Sequence, residues 1–395
     1  MAHWERVHVP PDFTGLTRAD RQGGSYLRYH PDRLLAVSNA LDGEVLEYAA
    51  EVSTALARLG ERLRSNPLPI LYSTMIRSES ISSSWIEGIR ENPRAIAIAQ
   101  LGDATASHNA SSVIRNVDAM KEAIELLGGG AWSHDHVREI HHDLLPWHRP
   151  GYRTEQVWIG GRNKFSADYA GPPHELVDPL MDDLLNYVNT AGDLPVVQAA
   201  IVHAQFETIH PFEDGNGRVG RALFHGILKR AGLVDGGVIP LSTVLRSDLG
   251  GYVEALTKYR YDGDDRSSAL DVYMARFLDY VSAAASAAEA FRLAAIDIHQ
   301  RWKQSASGFR SDSSIHRAVD LVVEYPVVSA RFLADNLGVS SVSAQKLVKQ
   351  LEAIGIVRAA SGKYRKSALF QADDILELLE HGAEGIQAKR GDLRP

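Results

Sequence analysis

The chain has no cysteine among its 395 residues. Disulfides, thiolate catalysis and thiolate zinc sites are therefore excluded, and the chain fits a reducing compartment. It also lacks a strong charge of either sign. With 42 Lys+Arg against 50 Asp+Glu the formal net charge is −8, so nothing draws the whole molecule to nucleic acid or an anionic membrane. Either partner would need a local basic patch. No uncharged apolar run is long enough to span a bilayer, and the opening MAHWERVHVPPDF lacks the apolar core of a signal peptide. A cytoplasmic protein without membrane contact is expected. At 45% hydrophobic and 23% charged, the composition suits a globular chain with two or three cores.

The first thirty residues, including VPPDFTGLTRADRQGGS, are expected to form an irregular arm. Helical periodicity predicts one or two helices over about 32–65 and a short Pro-bounded one in ENPRAIAIAQLG. Further helices are expected over 111–127, 134–144, 176–190, 195–209, 217–231, 247–259 and the Ala-rich 268–303. Residues 148–177, rich in Gly, Pro and aromatics, predict a hairpin or flap. A Ser-rich linker, QSASGFRSDSS at 304–314, precedes three short helical patterns and then IVRAASGKYRKSALF, two strands around a Gly turn. Three helices and a β-wing make a winged helix-turn-helix. The expected division is an N-terminal helical region at 1–115, a core at 116–303 and the winged helix-turn-helix at 315–375, in a mainly α protein.

Residues 210–221 read HPFEDGNGRVGR. Gly215 and Gly217 around Asn216 allow a sharp turn that points several N–H groups inward as an anion nest. The helix expected from about Gly217 adds unpaired N–H groups and the positive end of its dipole. Arg218 and Arg221, three apart, share a helical face beside that end, an arrangement that suits polyphosphate. Asp214 enters the turn ahead of the nest, where a carboxylate beside phosphates commonly carries Mg²⁺. His210, closing the preceding helix, has an imidazole able to accept a proton near neutrality. Together they equip the loop for attack of a hydroxyl on a nucleotide phosphate.

This run resembles the signature of Fic (Fido) domain proteins, His-x-Phe-x-Asp/Glu-Gly-Asn-Gly-Arg-x-x-Arg, and matches it at every fixed position. The resemblance extends over roughly 30–300. It implies a Fic-type helical bundle with a β-hairpin flap, and transfer of AMP from ATP to a Ser, Thr or Tyr hydroxyl of a protein. On that reading His210 takes the hydroxyl proton, Asp214 holds Mg²⁺ on the α- and β-phosphates, and Gly215, Asn216, Gly217 and Arg218 cradle the phosphates. Phe212 packs into the core and fixes the loop. RSDLGGYVEAL is similar to the family segment whose tyrosine lies by the adenine, making Tyr252 a candidate; a tyrosine on the core side of an amphipathic helix reads equally well. SADYAGPP is similar to the flap edge that aligns an incoming target strand, so Asp168, Tyr169 and Ala170 are candidates for that edge and for nucleotide contact.

SSSWIEGIR at 82–90 contains Ser83-x-x-x-Glu87-Gly88, which resembles the inhibitory motif of Fic proteins, here N-terminal to the signature. Four residues put Ser83 and Glu87 on one helical face, and Gly88 can end the turn. The resemblance implies that Glu87 pairs with Arg221 and occupies the γ-phosphate site. Residues 311–370 carry eight Lys/Arg against five Asp/Glu, with Gln345, Lys346 and Lys349 on the expected recognition helix and Lys363, Arg365 and Lys366 on the wing. DNA is one partner such a tail predicts; protein contact or homodimer formation is the other. Two further functions remain open: a Fic transferase moving UMP, phosphate or phosphocholine, and a nucleotide-sensing transcription regulator without turnover. The target hydroxyl could belong to the chain itself.

Overall fold

The structure, a computed structural model, describes residues 1–14, 17–34, 39–65, 69–102, 107–234, 237–361 and 368–384. It is mainly α-helical. In chain order it begins with strand β1 (His3–Val9), helix α1 (Arg18–Gln22), strand β2 (Gly24–His30), and helices α2 (Gly43–Ser65), α3 (Pro69–Ile86), α4 (Pro93–Gln100), α5 (His108–Gly128) and α6 (His134–Leu144). Strands β3 (Trp158–Ile159) and β4 (Tyr169–Ala170) follow, then α7 (Val177–Thr190), α8 (Pro195–Ile209), α9 (Asn216–Arg230), α10 (Leu241–Ser247), α11 (Leu249–Tyr259) and the long α12 (Arg266–Ser305). The chain continues through α13 (Ser314–Glu324), β5 (Val327–Ser329), α14 (Ala330–Leu337), α15 (Ser341–Ala353), β6 (Arg358–Ala359), β7 (Leu369–Gln371) and α16 (Asp373–Glu384).

The chain packs as two compact units that interleave along the sequence. The first comprises Met1–Ala55, Glu122–Leu233 and Asp248–Tyr280. Its centre is α8, in which every residue from Val196 to Ile209 is buried. A helix this apolar on all sides belongs inside a core, and α9 and α7 pack against it. α9 meets α8 at Gly220, opposite His203 and Glu207. β3 and β4 pair antiparallel, Trp158 opposite Ala170, forming the expected flap.

The irregular arm is corrected by the structure. β1 and β2 form an antiparallel hairpin in which His3 faces His30 and Glu5 faces Arg28. Arg28 donates to both carboxylate oxygens of Glu5, at 2.7 and 3.1 Å, and Trp4 packs on Tyr29. The cross-strand partners lie 15 to 27 residues apart and include charged and His pairs, so neither strand alone shows a clean apolar alternation.

The second unit comprises Leu56–Lys121, Val234–Ser247 and Val281–Pro395. α3 runs through it with a buried polar face: Ser78, Ser80, Ser82, Ser83 and Ser84 are all nearly inaccessible. Glu79, fully buried, accepts from the Ser242 N–H at 2.9 Å and so caps the start of α10. α13, α14 and α15 form the three expected helices, and β5, β7 and β6 a three-stranded sheet beside them. The Ser-rich stretch does not set this tail apart. Arg77 of α3 donates to the Glu324 carbonyl at 2.7 Å. Ala97 of α4 shares an apolar cluster with Val327, Leu369 and Leu376. Lys363, Arg365 and Lys366 lie outside the described residues.

Candidate active site

His210 is the C-cap of α8 and adopts φ 50°, ψ 62°. It is the one non-glycine residue with positive φ among the described residues, a conformation that costs an L-residue on the order of 1 kcal/mol. Its Nδ1 is buried, 3.9 Å from Oε2 of Glu207. Burial pushes the imidazole pKa down to about 3, with the Glu207 carbonyl opposing and Arg260 and Arg153 assisting. The ring is therefore neutral in the physiological range, yet the side chain keeps 17% of its surface and can be reached.

Past His210 the chain is braced from within. Phe212 is buried and stacks on His141, ring centroids 3.8 Å apart. The Asn216 amide grips the Phe212 backbone at both ends, donating to its carbonyl and accepting from its N–H, each at 2.9 Å. Its amide is thus engaged in shaping the loop. Gly215 is the N-cap of α9 at φ 81°, and a Cβ there would lie 2.5 Å from Leu145. The left-handed backbone favours glycine, and any side chain would also have to displace the Leu145 methyl. The Gly215 carbonyl accepts the first bond of α9, from the Val219 N–H. The N–H groups of Asn216, Gly217 and Arg218 precede that bond, at the positive end of the helix.

Arg218 and Arg221 are 2% and 1% exposed. A guanidinium that buried calls for an anion. Arg218 lies 3.8 Å from the Asp214 carboxylate. Asp214 is half exposed, and its other oxygen accepts the Gly215 N–H at 2.6 Å. His141, its pKa lowered to about 4 chiefly by burial, contacts the Asp214 carbonyl through Nε2 at 3.1 Å. Among the described residues no three His, Asp or Glu side chains gather round a common point. Asp214 alone fits a Mg²⁺ that draws most of its oxygens from substrate phosphates and water.

Tyr252, on α11, is buried, and its hydroxyl lies 2.9 Å from His203 Nε2. Burial, with the Arg221 charge assisting and the Gly220 backbone opposing, lowers the His203 pKa to about 3. His203 therefore links Tyr252 to the neighbourhood of Arg221. In the flap Asp168 is exposed, whereas Tyr169 and Ala170 are buried. Tyr169 donates to the Thr208 carbonyl at 2.6 Å and lies under the Arg260 guanidinium, so its side chain pins the flap to the last turn of α8.

Ser83, Glu87 and Gly88 lie in the second unit. Ser83 is buried in α3. Glu87 is the first residue past the helix, and Gly88 takes φ 79°. The Ile89 N–H bonds to the Ser84 carbonyl at 2.9 Å and the Gly88 N–H to the Trp85 carbonyl at 3.1 Å. This is a Schellman ending, with Glu87 as C-cap and Gly88 in the left-handed position.

Arg153 is one of two residues that sequence reasoning missed. Buried, it donates to the carbonyls of His210 at 2.8 Å, Ile209 at 3.3 Å, Pro172 at 2.7 Å and Glu155 at 2.8 Å. Its own N–H bonds to the Pro211 carbonyl. One guanidinium thus caps the negative end of α8 and ties the flap to the loop. All its partners are backbone carbonyls, which leave no trace in side-chain spacing. Glu207, beside His210, was missed because it reads as one of several polar positions on a helix that is buried throughout.

Residues 131–228 match the Fic/DOC family, residues 46–125 the Fic/DOC family N-terminal region, and residues 315–368 an HTH DNA binding domain. A probable protein adenylyltransferase of Aquifex aeolicus (strain VF5) is 40% identical over 86 residues, 22% of this chain and 25% of its own length. A protein adenylyltransferase of Caenorhabditis briggsae is 30% identical over 192 residues, 46% of this chain and 34% of its own. The chain thus spans a quarter to a third of these relatives. A Fic family protein from Desulfovibrio desulfuricans G20 superimposes with a TM-score of 0.51 at 21% identity, covering 84% of this chain and 96% of that one, which shows a shared fold. No helix among the described residues is long and apolar enough to cross a membrane. The chain carries a Fic/DOC domain, with a Fic/DOC N-terminal region ahead of it and a helix-turn-helix domain behind it.

Proposed function

We propose that this chain is a Mg²⁺-dependent protein adenylyltransferase, moving AMP from ATP to a Ser, Thr or Tyr hydroxyl and restrained by Glu87 against Arg221. The observation that carries the reading is the loop 210–221. Within twelve residues it holds a neutral, reachable imidazole, a half-exposed carboxylate and the open N-terminus of α9, with two buried guanidiniums behind it.

In the proposed reaction a protein hydroxyl loses its proton to His210. The basic role is assigned to Nε2, because Nδ1 is buried beside Glu207. The hydroxyl oxygen bonds to the α-phosphorus, the bond from that phosphorus to the bridging oxygen breaks, and pyrophosphate leaves with its electron pair. The N–H groups opening α9, with Arg218 and Arg221, hold the phosphates and meet the charge that develops on them. Asp214 would hold Mg²⁺, which supplies charge neutralisation on the α- and β-phosphates. Glu87, paired with Arg221, would take the place of the γ-phosphate and leave the α-phosphate out of line for attack. This deepens the adenylyltransferase names of the relatives, which match over part of their length.

The test is incubation with ATP labelled at the α- or at the γ-phosphate, followed by protein mass analysis. Covalent label from the α-position alone supports AMP transfer. Label from the γ-position makes the enzyme a phosphotransferase, and binding without label makes the domain a sensor.

A DNA-binding role for the tail is favoured by α15, where Gln345, Lys346 and Lys349 are all exposed. Salt-dependent duplex binding that weakens in Lys346→Glu would support it.

A further inference from the structure

The site described above leaves unused a cavity of about 240 Å³ in the second unit, against α3. Met75, Phe291 and Leu378 give it apolar walls. On the α12 side the lining residues Ala287, Ala288 and Ala294 are too small to fill the space. It opens where Ala290 and His381 are exposed. Native cores seldom leave such a volume empty, because its lining forfeits contacts on one side.

Two hydroxyls deep in the wall differ in their bonding. Thr243 donates to the Gly382 carbonyl at 2.9 Å and lies 2.8 Å from the Ser82 hydroxyl, so it is satisfied. Ser78, on α3, is 2% exposed and its Oγ makes no hydrogen bond among the described residues. A buried hydroxyl without a partner is destabilising. Water is a poor remedy, since an ordered water needs two to four polar partners and this wall is almost entirely apolar, its Thr243 hydroxyl already engaged. A ligand with a single polar group on an apolar body answers both needs. An apolar cavity of about 150 Å³ accepts benzene, so this one accommodates a ring with a short alkyl tail, roughly ten heavy atoms.

We propose that this cavity is a binding site for a small alkylphenol-like molecule, its ring and tail among Met75, Phe291 and Leu378 and its hydroxyl bonded to Ser78. Met75 and Ser78 stand on the helix whose last turn carries Ser83 and which Glu87 caps, so an occupant acts on the restraint proposed above; that consequence, unlike the binding itself, rests on the adenylyltransferase reading.

Calorimetric titration of the full chain with para-propylphenol and with propylbenzene tests the site without requiring turnover. Both probes are expected to bind once per chain, the phenol about three- to tenfold more tightly through its hydrogen bond. Ser78→Ala should erase that preference while leaving propylbenzene affinity unchanged. Ala288→Leu, which fills the space, should abolish both, and Ala294→Leu at the half-buried mouth does the same should the first variant fail to fold. No saturable binding to the folded wild type overturns the proposal. So does binding that ignores the filling variants, or a phenol preference that survives Ser78→Ala.

Discussion

His210 carries two separable burdens, a chemical one in its ring and a conformational one in its backbone. Substitution can divide them. His210→Ala and His210→Gly both remove the imidazole and should lower transfer by about 100- to 10,000-fold, with ATP affinity nearly unchanged in calorimetry. Their stabilities should differ, because glycine accepts φ 50° without the penalty alanine meets. In urea unfolding the Gly variant should be the more stable by about 1 kcal/mol. Equal stabilities would show that the left-handed backbone is not strained. This residue and its eleven successors were legible in the sequence because the chemistry is local: base, carboxylate, turn and arginines occupy consecutive positions. What spacing could not show is how the loop is braced, with the Asn216 amide closed on Phe212 and Phe212 stacked on His141.

Among the elements, α8 and the flap are joined by Arg153. Arg153→Ala strips donors from the carbonyls of Ile209, His210, Pro172 and Glu155. It should destabilise the fold by on the order of 3 kcal/mol and lower turnover more than it weakens ATP binding, since the imidazole then lacks a fixed origin. Arg153→Lys restores the charge without the planar fork and should fall between. Thermal unfolding alongside kcat and KM checks the order, and a Lys variant equal to wild type would contradict it. The helices α7, α8 and α9 were legible within a residue or so, α7 and α9 from their apolar periodicity and α8 as a long run between Pro195 and the 210–221 loop. The β1–β2 hairpin was not, because its stabilising pairs lie across strands far apart in sequence. α3 was legible in part. Its serines lie in the interior, where Ser82 and Ser84 are matched by Thr243 and Asn116. Its Schellman ending leaves Glu87 at the negative end of the helix dipole, an unfavourable place for a carboxylate.

At the scale of the molecule, the first unit buries three histidines in the neutral form: His141, His203 and His210, with pKa values lowered to about 4, 3 and 3 chiefly by burial. The unfolded chain binds protons at these groups below about pH 6.5 while the folded chain does not. Stability is therefore whole above about pH 6.5 and falls as the pH drops toward the folded values. At about pH 5 each histidine contributes a loss of at most roughly 2 kcal/mol. Urea midpoints measured across that range should decline with acid, and a flat profile would contradict the neutral burial. In the second unit the tail covers α3 and α4, so deleting residues from 311 onward uncovers Arg77 and Ala97. The shortened chain should unfold at lower temperature and show exposed apolar surface by dye binding. A truncated protein as stable as the whole would restore the independence that the Ser-rich linker suggested.

The central claim is that the loop 210–221 transfers AMP with His210 as base, under restraint from Glu87. Its most direct test is incorporation of α-labelled ATP, with Mg²⁺, into Glu87→Gly and into Glu87→Gly/His210→Ala. The account predicts that the single variant gains label on the order of 100-fold faster than wild type, by letting the phosphates align. The double variant should bind ATP equally well and take up no label. A single variant no faster than wild type, or a double variant labelled as fast as the single, would contradict the account.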